Sequence, residues 1–63
     1  MAVYRFPMDS IVGIMHHIPT YKDMVIESLT LDGIDYVLQV NIPIIADEVQ
    51  HLGDGYGLVE VSQ

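Results

Sequence analysis

The dipeptide Asp32-Gly33, set between Leu31 and Ile34, constrains the fold more than any other feature of this sequence. An Asp-Gly pair between apolar residues is typical of a two-residue hairpin, because a type I′ turn needs positive φ at both central positions. With that turn, paired positions sum to 65, and seven of the eight residues on one face are apolar. The pairs on that face are Leu31/Ile34, Leu29/Tyr36, Glu27/Leu38 and Val25/Val40. One apolar and one wetter face is what a half-covered antiparallel pair requires, so we predict a hairpin.

A competing signal precedes the hairpin turn. Thr20 to Asp23 has the spacing of a helix capping box. The residues that would share one face of such a helix are Tyr21, Met24, Val25 and Leu29. A helix over residues 20–31 is therefore the alternative to a strand.

Glu27 is the anomaly of the hairpin, because the predicted pairing places it on the apolar face. One interpretation puts it near the sheet edge, or in a bulge before Ser28 that turns the side chain outward. The other is a partly buried carboxylate paired with Lys22, Arg5 or a histidine.

The segment before the hairpin predicts a short strand followed by a helix. Residues 2–6 favour a strand, which Pro7 ends because proline cannot donate to the sheet. Asp9 or Ser10 can cap the helix, and Pro19 stops it. The apolar positions at helical spacing are Ile11, Val12, Ile14, Met15 and Ile18. A glycine and several β-branched residues in this stretch leave a strand as the alternative.

After the hairpin, apolar residues at helical spacing predict a second short helix. These are Ile44, Ile45, Val49 and Leu52. Asp47 and Glu48 lie near its beginning, where carboxylates favour the helix dipole, and Gly53 ends it. Gly53-Asp54-Gly55 then reads as a tight turn, and residues 56–62 as a final strand.

These elements predict the fold class. We expect residues 1–63 to form a single small α+β domain, a small antiparallel sheet with one or two short helices packed on one face. The β-α-β-β-α-β order is that of the split βαβ, or ferredoxin-like, arrangement.

The size of the chain predicts self-association. The chain has 63 residues, of which 51% are apolar, and no cysteine. A chain of this length buries only a small hydrophobic core, and this one cannot form a disulfide. A symmetric interface between copies would extend the core and cover apolar surface. We therefore expect a homodimer.

The charge excludes several kinds of partner. Lys and Arg number 2, so few phosphates could be neutralised, and we expect no direct nucleic-acid binding. No apolar run approaches the roughly 18 residues of a spanning helix, and an anionic bilayer surface would repel an acidic protein. We expect no membrane partner and a cytoplasmic location.

No motif in the sequence predicts catalysis or a cofactor. His16 and His17 are adjacent and point apart on either a helix or a strand, so they cannot readily share an ion within one chain. A histidine metal site could form only across a symmetry axis, so we predict no metal. The serines have no triad context, and a chain of this size can hardly enclose a pocket. We expect neither an enzyme nor a cofactor, unless a small-ligand or active site lies between subunits.

Charge placement predicts the function. Residues 1–22 carry a net charge of +1, whereas residues 23–63 carry eight acids and no Lys or Arg, a net of −8. We predict a small acidic binding protein that engages a basic nucleic-acid-binding protein and inhibits or regulates it. The analogy is with phage inhibitors and antitoxins, and it rests on size and charge alone. The predicted contacts are Asp32, Asp35, Asp47, Glu48, Asp54 and Glu60. The alternative is a homo-oligomeric structural module in which the acids serve only solubility.

Overall fold

The computed structural model describes residues 2–18 and 23–61 as a four-stranded sheet with two α-helices. The elements are β1 (Ala2–Pro7), a 3₁₀ turn (Met8–Ser10), α1 (Ile11–His17), β2 (Ile26–Asp32), β3 (Asp35–Val40), α2 (Ala46–Tyr56) and β4 (Val59–Val61). The strands lie in the order β2-β3-β1-β4, and every neighbouring pair is antiparallel. The prediction of an α+β fold built on an antiparallel sheet is confirmed.

The two faces of the sheet differ in what covers them. Along β1, Ala2, Tyr4 and Phe6 are buried, and they belong to one core with Ile14 and Leu52 of the two helices. We call this face and the helices on it the helix side. The other face, which we call the open face, carries the alternate residues of each strand. These are Val3, Arg5, Pro7, Ser28, Thr30, Asp32, Asp35, Val37, Gln39, Val59 and Val61.

The predicted hairpin is confirmed, but its turn is one residue later than expected. Asp32 pairs with Asp35, so the central residues are Gly33 and Ile34. Gly33 has φ of +67°, and the only non-glycine residue with positive φ among the described residues is Asp23. Positive φ at the first central residue alone is typical of a type II′ turn. This turn spares Asp32 the left-handed conformation that the predicted turn would have required.

The predicted pairs were therefore wrong. The predicted face was right for Leu29, Leu31, Tyr36, Leu38 and Val40, but Ile34 lies in the turn and Val25 lies before β2. Leu31 pairs with Tyr36, and Leu29 pairs with Leu38. Relative to the prediction each partner moves by two residues, and a shift of two keeps a side chain on the same face of a strand. These residues lie on the helix side as expected.

The beginning of β2 departs from regular pairing at Glu27. Ile26 pairs with Val40 and Ser28 with Gln39, so Glu27 is the extra residue of a bulge and is exposed. The interpretation that a bulge before Ser28 turns Glu27 outward is confirmed. The displaced turn alone would pair Val40 with Glu27, and the extra residue makes Ile26 the partner instead, so the predicted Val25/Val40 pair is wrong.

Asn41 fixes the chain just before β2. Its side-chain Oδ1 accepts a hydrogen bond from the Val25 N–H at 2.7 Å, and its Nδ2 donates to the Asp23 carbonyl at 3.0 Å. The Asn41 N–H donates in turn to the Val25 carbonyl at 3.1 Å. The alternative of a helix across this region is wrong for residues 23–31, while Thr20, Tyr21 and Lys22 lie outside the described residues.

The predicted first helix is confirmed as α1, and its alternative as a strand is wrong. Ile14 and Ile18 are buried, but Val12 is 81% exposed, so the apolar stripe is narrower than predicted. Ser10 occupies the N-cap position without a side-chain capping hydrogen bond, because the Met8–Ser10 turn leads directly into the helix. Pro19, the predicted stop, lies outside the described residues.

The second helix is longer than predicted. It continues through Gly53 and Gly55 to Tyr56 and ends at Gly57, where φ is +77° and the N–H donates to the Gly53 carbonyl at 3.1 Å. The predicted turn at 53–55 and strand from Tyr56 are therefore wrong, and β4 begins only at Val59. A Cβ on Gly53 would lie 2.9 Å from the Leu58 carbonyl oxygen, so packing accounts for this glycine.

The start of the second helix also differs from the prediction. Ile44 is buried and belongs to the core, as its place in the apolar stripe suggested. Ile45 is 69% exposed, because it occupies the N-cap position and does not lie on the buried face of the helix.

Substitution of Gly33 should expose the conformational cost of the turn. A Cβ at this position has no atom within 4 Å, so Gly33→Val introduces backbone strain without a clash. We expect the free energy of unfolding to fall by about 1–2 kcal/mol, and less for Gly33→Asn, since asparagine tolerates the left-handed region. Urea unfolding measures both. A Gly33→Val variant as stable as the original chain would contradict the positive φ.

The two glycines inside α2 should respond in opposite directions to alanine. Gly55 has open space around its Cβ position and no positive φ, so Gly55→Ala should raise the free energy of unfolding by about 0.5–1 kcal/mol. Gly53→Ala should lower it, because the new methyl meets a backbone carbonyl at 2.9 Å. Thermal and urea unfolding of the pair test the helix boundary, and destabilisation by Gly55→Ala would place that residue outside a helix.

Candidate functional site

The six predicted contact residues fall into two groups on opposite sides of the sheet. Asp32 and Asp35 flank the hairpin turn on the open face. The other four lie on the helix side, two in the first turn of α2, one near its end, and one on β4 opposite Tyr4. We call these four the helix-side acids. They are Asp47, Glu48, Asp54 and Glu60.

The open-face carboxylates share a cation. Arg5 donates from Nη2 to Asp32 Oδ2 at 3.0 Å, and its Nε lies 3.7 Å from Asp35 Oδ2. Asp32 and Asp35 are directly opposite each other, an arrangement of like charges that is unfavourable without a cation between them. Arg5 lies across from Val37 in the neighbouring strand, two pairs away from Asp35 and on the same face of the sheet. Sequence reasoning missed this cluster, because it depends on the pairing of β1 with β3.

The helix-side acids on α2 follow its solvent face. Asp47 and Asp54 are seven positions apart, with His51 between them at i+4, and all three are exposed. Asp47 and Glu48 lie in the first turn, where a negative charge interacts favourably with the helix dipole. They therefore stabilise α2 and, at the same time, present negative charge to solvent.

The three histidines come together where α1 meets α2. The ring of His17 is centred 5.9 Å from His16, 6.2 Å from His51 and 5.8 Å from Tyr56. The helices approach closely because α1 has a glycine, Gly13, at a position where a Cβ would overlap the Tyr56 ring. The sequence indicated only that His16 and His17 diverge, since the approach of His51 is a tertiary contact between helices.

The histidine cluster does not form a metal centre with neighbouring acids. Across residues 2–18 and 23–61, no group of three or more His, Asp or Glu side chains is placed to hold a metal ion. The cluster is a set of ring contacts between the helices, and it borders the acidic, exposed face of α2 through His51.

A buried hydrogen bond positions the start of α2. The hydroxyl of Tyr4 is inaccessible to solvent and accepts a hydrogen bond from the Ile44 N–H at 2.8 Å. This bond ties the connection between β3 and α2 to the central strand β1. Burial raises the pKa of Tyr4, the Ile44 hydrogen bond opposes that rise, and the negative charge of Glu60 adds to it.

Comparison with known proteins gives no family for this chain. Neither the protein-family models nor the curated proteins nor the solved structures include a match to it. Within the described residues, none of the helices has the length and apolar character needed to cross a bilayer.

The buried phenol should make folding sensitive to alkali. An unfolded chain loses the tyrosine proton near pH 10, whereas Tyr4 in the folded chain retains it to higher pH. The folded state then binds more protons, so the stability from neutral Tyr4 is complete below about pH 10 and is lost as the pH rises toward the folded pKa.

Tyr4→Phe isolates this contribution. It should lower the free energy of unfolding at neutral pH by about 1–3 kcal/mol, because the buried Ile44 N–H loses its acceptor. It should also reduce the further loss of stability between about pH 9.5 and 11. Urea unfolding of both proteins across that range measures the difference, and parallel pH profiles would contradict the raised pKa.

Proposed function

We propose that this chain is a small, non-enzymatic binding protein whose helix-side acids engage a basic surface of another protein. The observation that carries the proposal is a separation of charge across the sheet. Arg5, the sole Lys or Arg in residues 2–18 and 23–61, lies on the open face and is engaged by Asp32 and Asp35. A basic partner approaching the helix side meets carboxylates without a competing cation from this described part of the chain.

Electrostatics favours rapid encounter with such a partner. Charges of one sign on one side of a small protein produce a field that raises the association rate of an oppositely charged surface. At physiological salt the screening length is about 8 Å, so the exposed Asp47 and Asp54 act chiefly on a partner close to α2. Asp32 and Asp35 contribute less to the field, because Arg5 offsets part of their charge.

The chemistry of the partner suggests what the binding does. Proteins that bind nucleic acid present Lys and Arg to phosphates, and a surface of carboxylates competes for the same cations. The chain would thus inhibit or regulate a nucleic-acid-binding protein by occupying its basic surface. With a formal net charge of −7, the chain itself would have no affinity for free DNA or RNA.

We also infer the type of α+β fold and the cellular location of the protein. The strand order β2-β3-β1-β4, with a helix between β1 and β2 and another between β3 and β4, supports a ferredoxin-like arrangement of a single domain. A cytoplasmic location, where nucleic-acid-binding partners are found, is the setting that we propose.

A second candidate function is a homo-oligomeric structural module with no charged partner. The specific observation in its favour is the set of valines on the open face, which no helix in the described residues covers. In that case the carboxylates would serve only solubility.

Paired substitutions on the two sides of the sheet test the binding proposal. The immobilised chain should capture a basic protein from host lysate at about 50 mM salt and release it at about 500 mM. With the purified partner, Asp47→Asn combined with Glu48→Gln should slow association by up to about tenfold and change dissociation less. Stopped-flow kinetics measures both rates. The chain should also displace nucleic acid from the partner.

The matched control removes the same charge from the other side. Asp32→Asn combined with Asp35→Asn also eliminates two carboxylates, yet it should slow association less, because Arg5 already offsets them. Equal slowing by both pairs would mean that net charge alone acts. Binding that is unaffected by salt, or a partner whose contact surface is acidic or apolar, would favour the structural module.

A further inference from the structure

We propose that the open face of the sheet is the interface at which two copies of this chain associate. Its centre is apolar, with Val3 and Val37 on the two middle strands and Val59 and Val61 on β4. Val59 is 56% exposed, and the other three are partly exposed. Both described helices pack on the other face, so no element of residues 2–18 and 23–61 covers this apolar surface.

The charge distribution favours a second copy as the occupant. Each chain has a formal net charge of −7, so two copies repel unless they meet where the charge is smallest. The paired residues of the open face include Arg5, Asp32 and Asp35, a net of −1, and the other paired residues are uncharged. Glu27, in the bulge of the edge strand β2, adds one carboxylate at the margin of this face. The helix side carries four carboxylates and no Lys or Arg among the described residues. Contact through the open face keeps those carboxylates apart.

Arg5 makes this face complementary to itself. A guanidinium has five N–H donors, and Asp32 and Asp35 engage two of its nitrogens. In a two-fold arrangement the same patch of each copy faces the other. Each Arg5 can then bind a carboxylate of the second copy in addition to Asp32 and Asp35 of its own chain. The side chains of Arg5 and Asp32 are 36% and 65% exposed, which leaves room for such contacts.

The area available is of the right order. A standard protein interface removes roughly 800 Å² from each partner. The accessible surface of this chain is 4063 Å², so such an interface would cover about a fifth of it. One whole face of a two-layered protein supplies that share, and two sheets stacked face to face at about 10 Å would interdigitate their valines.

The competing surfaces fit a second copy less well. Pairing through the edge strand β2 is opposed by the bulge at Glu27 and by the carboxylate of Asp32 at its end. Association through the helices would bring Asp47, Glu48 and Asp54 of two copies together. The open face is therefore the surface that best fits a second copy of the chain.

Sedimentation equilibrium at micromolar concentrations tests the proposal on the whole chain, without any other partner. We expect a species of twice the 7.1 kDa chain mass. Val59→Glu, which places a carboxylate on the open face, should raise the dimer dissociation constant at least about tenfold. Val12→Glu makes the same change on α1, at a residue that is 81% exposed, and should leave the constant within about twofold at 150 mM salt. Far-UV circular dichroism verifies that each variant is folded.

A second set of variants leaves the valines of β4 unchanged, so that its result does not depend on the stability of that strand. Arg5→Gln should weaken the dimer, because each copy then brings two uncompensated carboxylates to the interface. Adding Asp32→Asn and Asp35→Asn should restore association.

Three results would overturn the proposal: a 7.1 kDa species at every concentration, a dimer that Val12→Glu dissociates while Val59→Glu does not, or no effect of Arg5→Gln. None of these outcomes bears on the binding of a basic protein at the helix side, so the two proposals fail separately.

Discussion

The pairing of β1 with a strand on each side is the constraint on which the structure depends. Its residues alternate, so Ala2, Tyr4 and Phe6 enter the core while Val3 and Arg5 face outward. The same alternation fixes which residues of β3 and β4 lie on each face. The acids beside the helices and the valines around Arg5 are therefore separated by the geometry of this one strand.

Helix placement depends on contacts that are few and specific. The Tyr4 hydroxyl accepts a hydrogen bond from the Ile44 N–H, which ties the connection into α2 to β1. Among the described residues, no other core side chain of β1 makes such a bond. Gly13 allows the ring of Tyr56 to lie against α1, and Gly53 allows the chain to return under α2 toward β4. These residues set the orientation of the acidic face of α2 without belonging to it. A substitution at any of them should therefore affect the proposed binding only by shifting that helix.

The sequence predicted elements whose signals are local, and failed where a tertiary contact decides. The alternation of apolar and polar residues on both sides of Gly33 predicted the hairpin, and apolar residues at helical spacing predicted α1. The turn itself was misplaced by one residue, because an Asp-Gly pair fits two adjacent turn positions and the observed one spares Asp32 a positive φ. Gly53 was mistaken for a helix end, since a glycine required by packing looks the same as a glycine at a cap. The contacts of Arg5 with Asp32, and of His17 with His51, join distant segments and leave no local pattern.

The pairing of β4 with β1 has a consequence for how the chain folds. Val3 pairs with Val61, so the sheet closes only when residues far apart in the sequence meet. Contacts of such separation form late and slowly in folding. Until β4 docks, β1 is an edge strand of the remaining sheet, with unpaired N–H and C=O groups along the side that β4 will occupy. A partly folded chain is most open to misassembly with a neighbour at that edge.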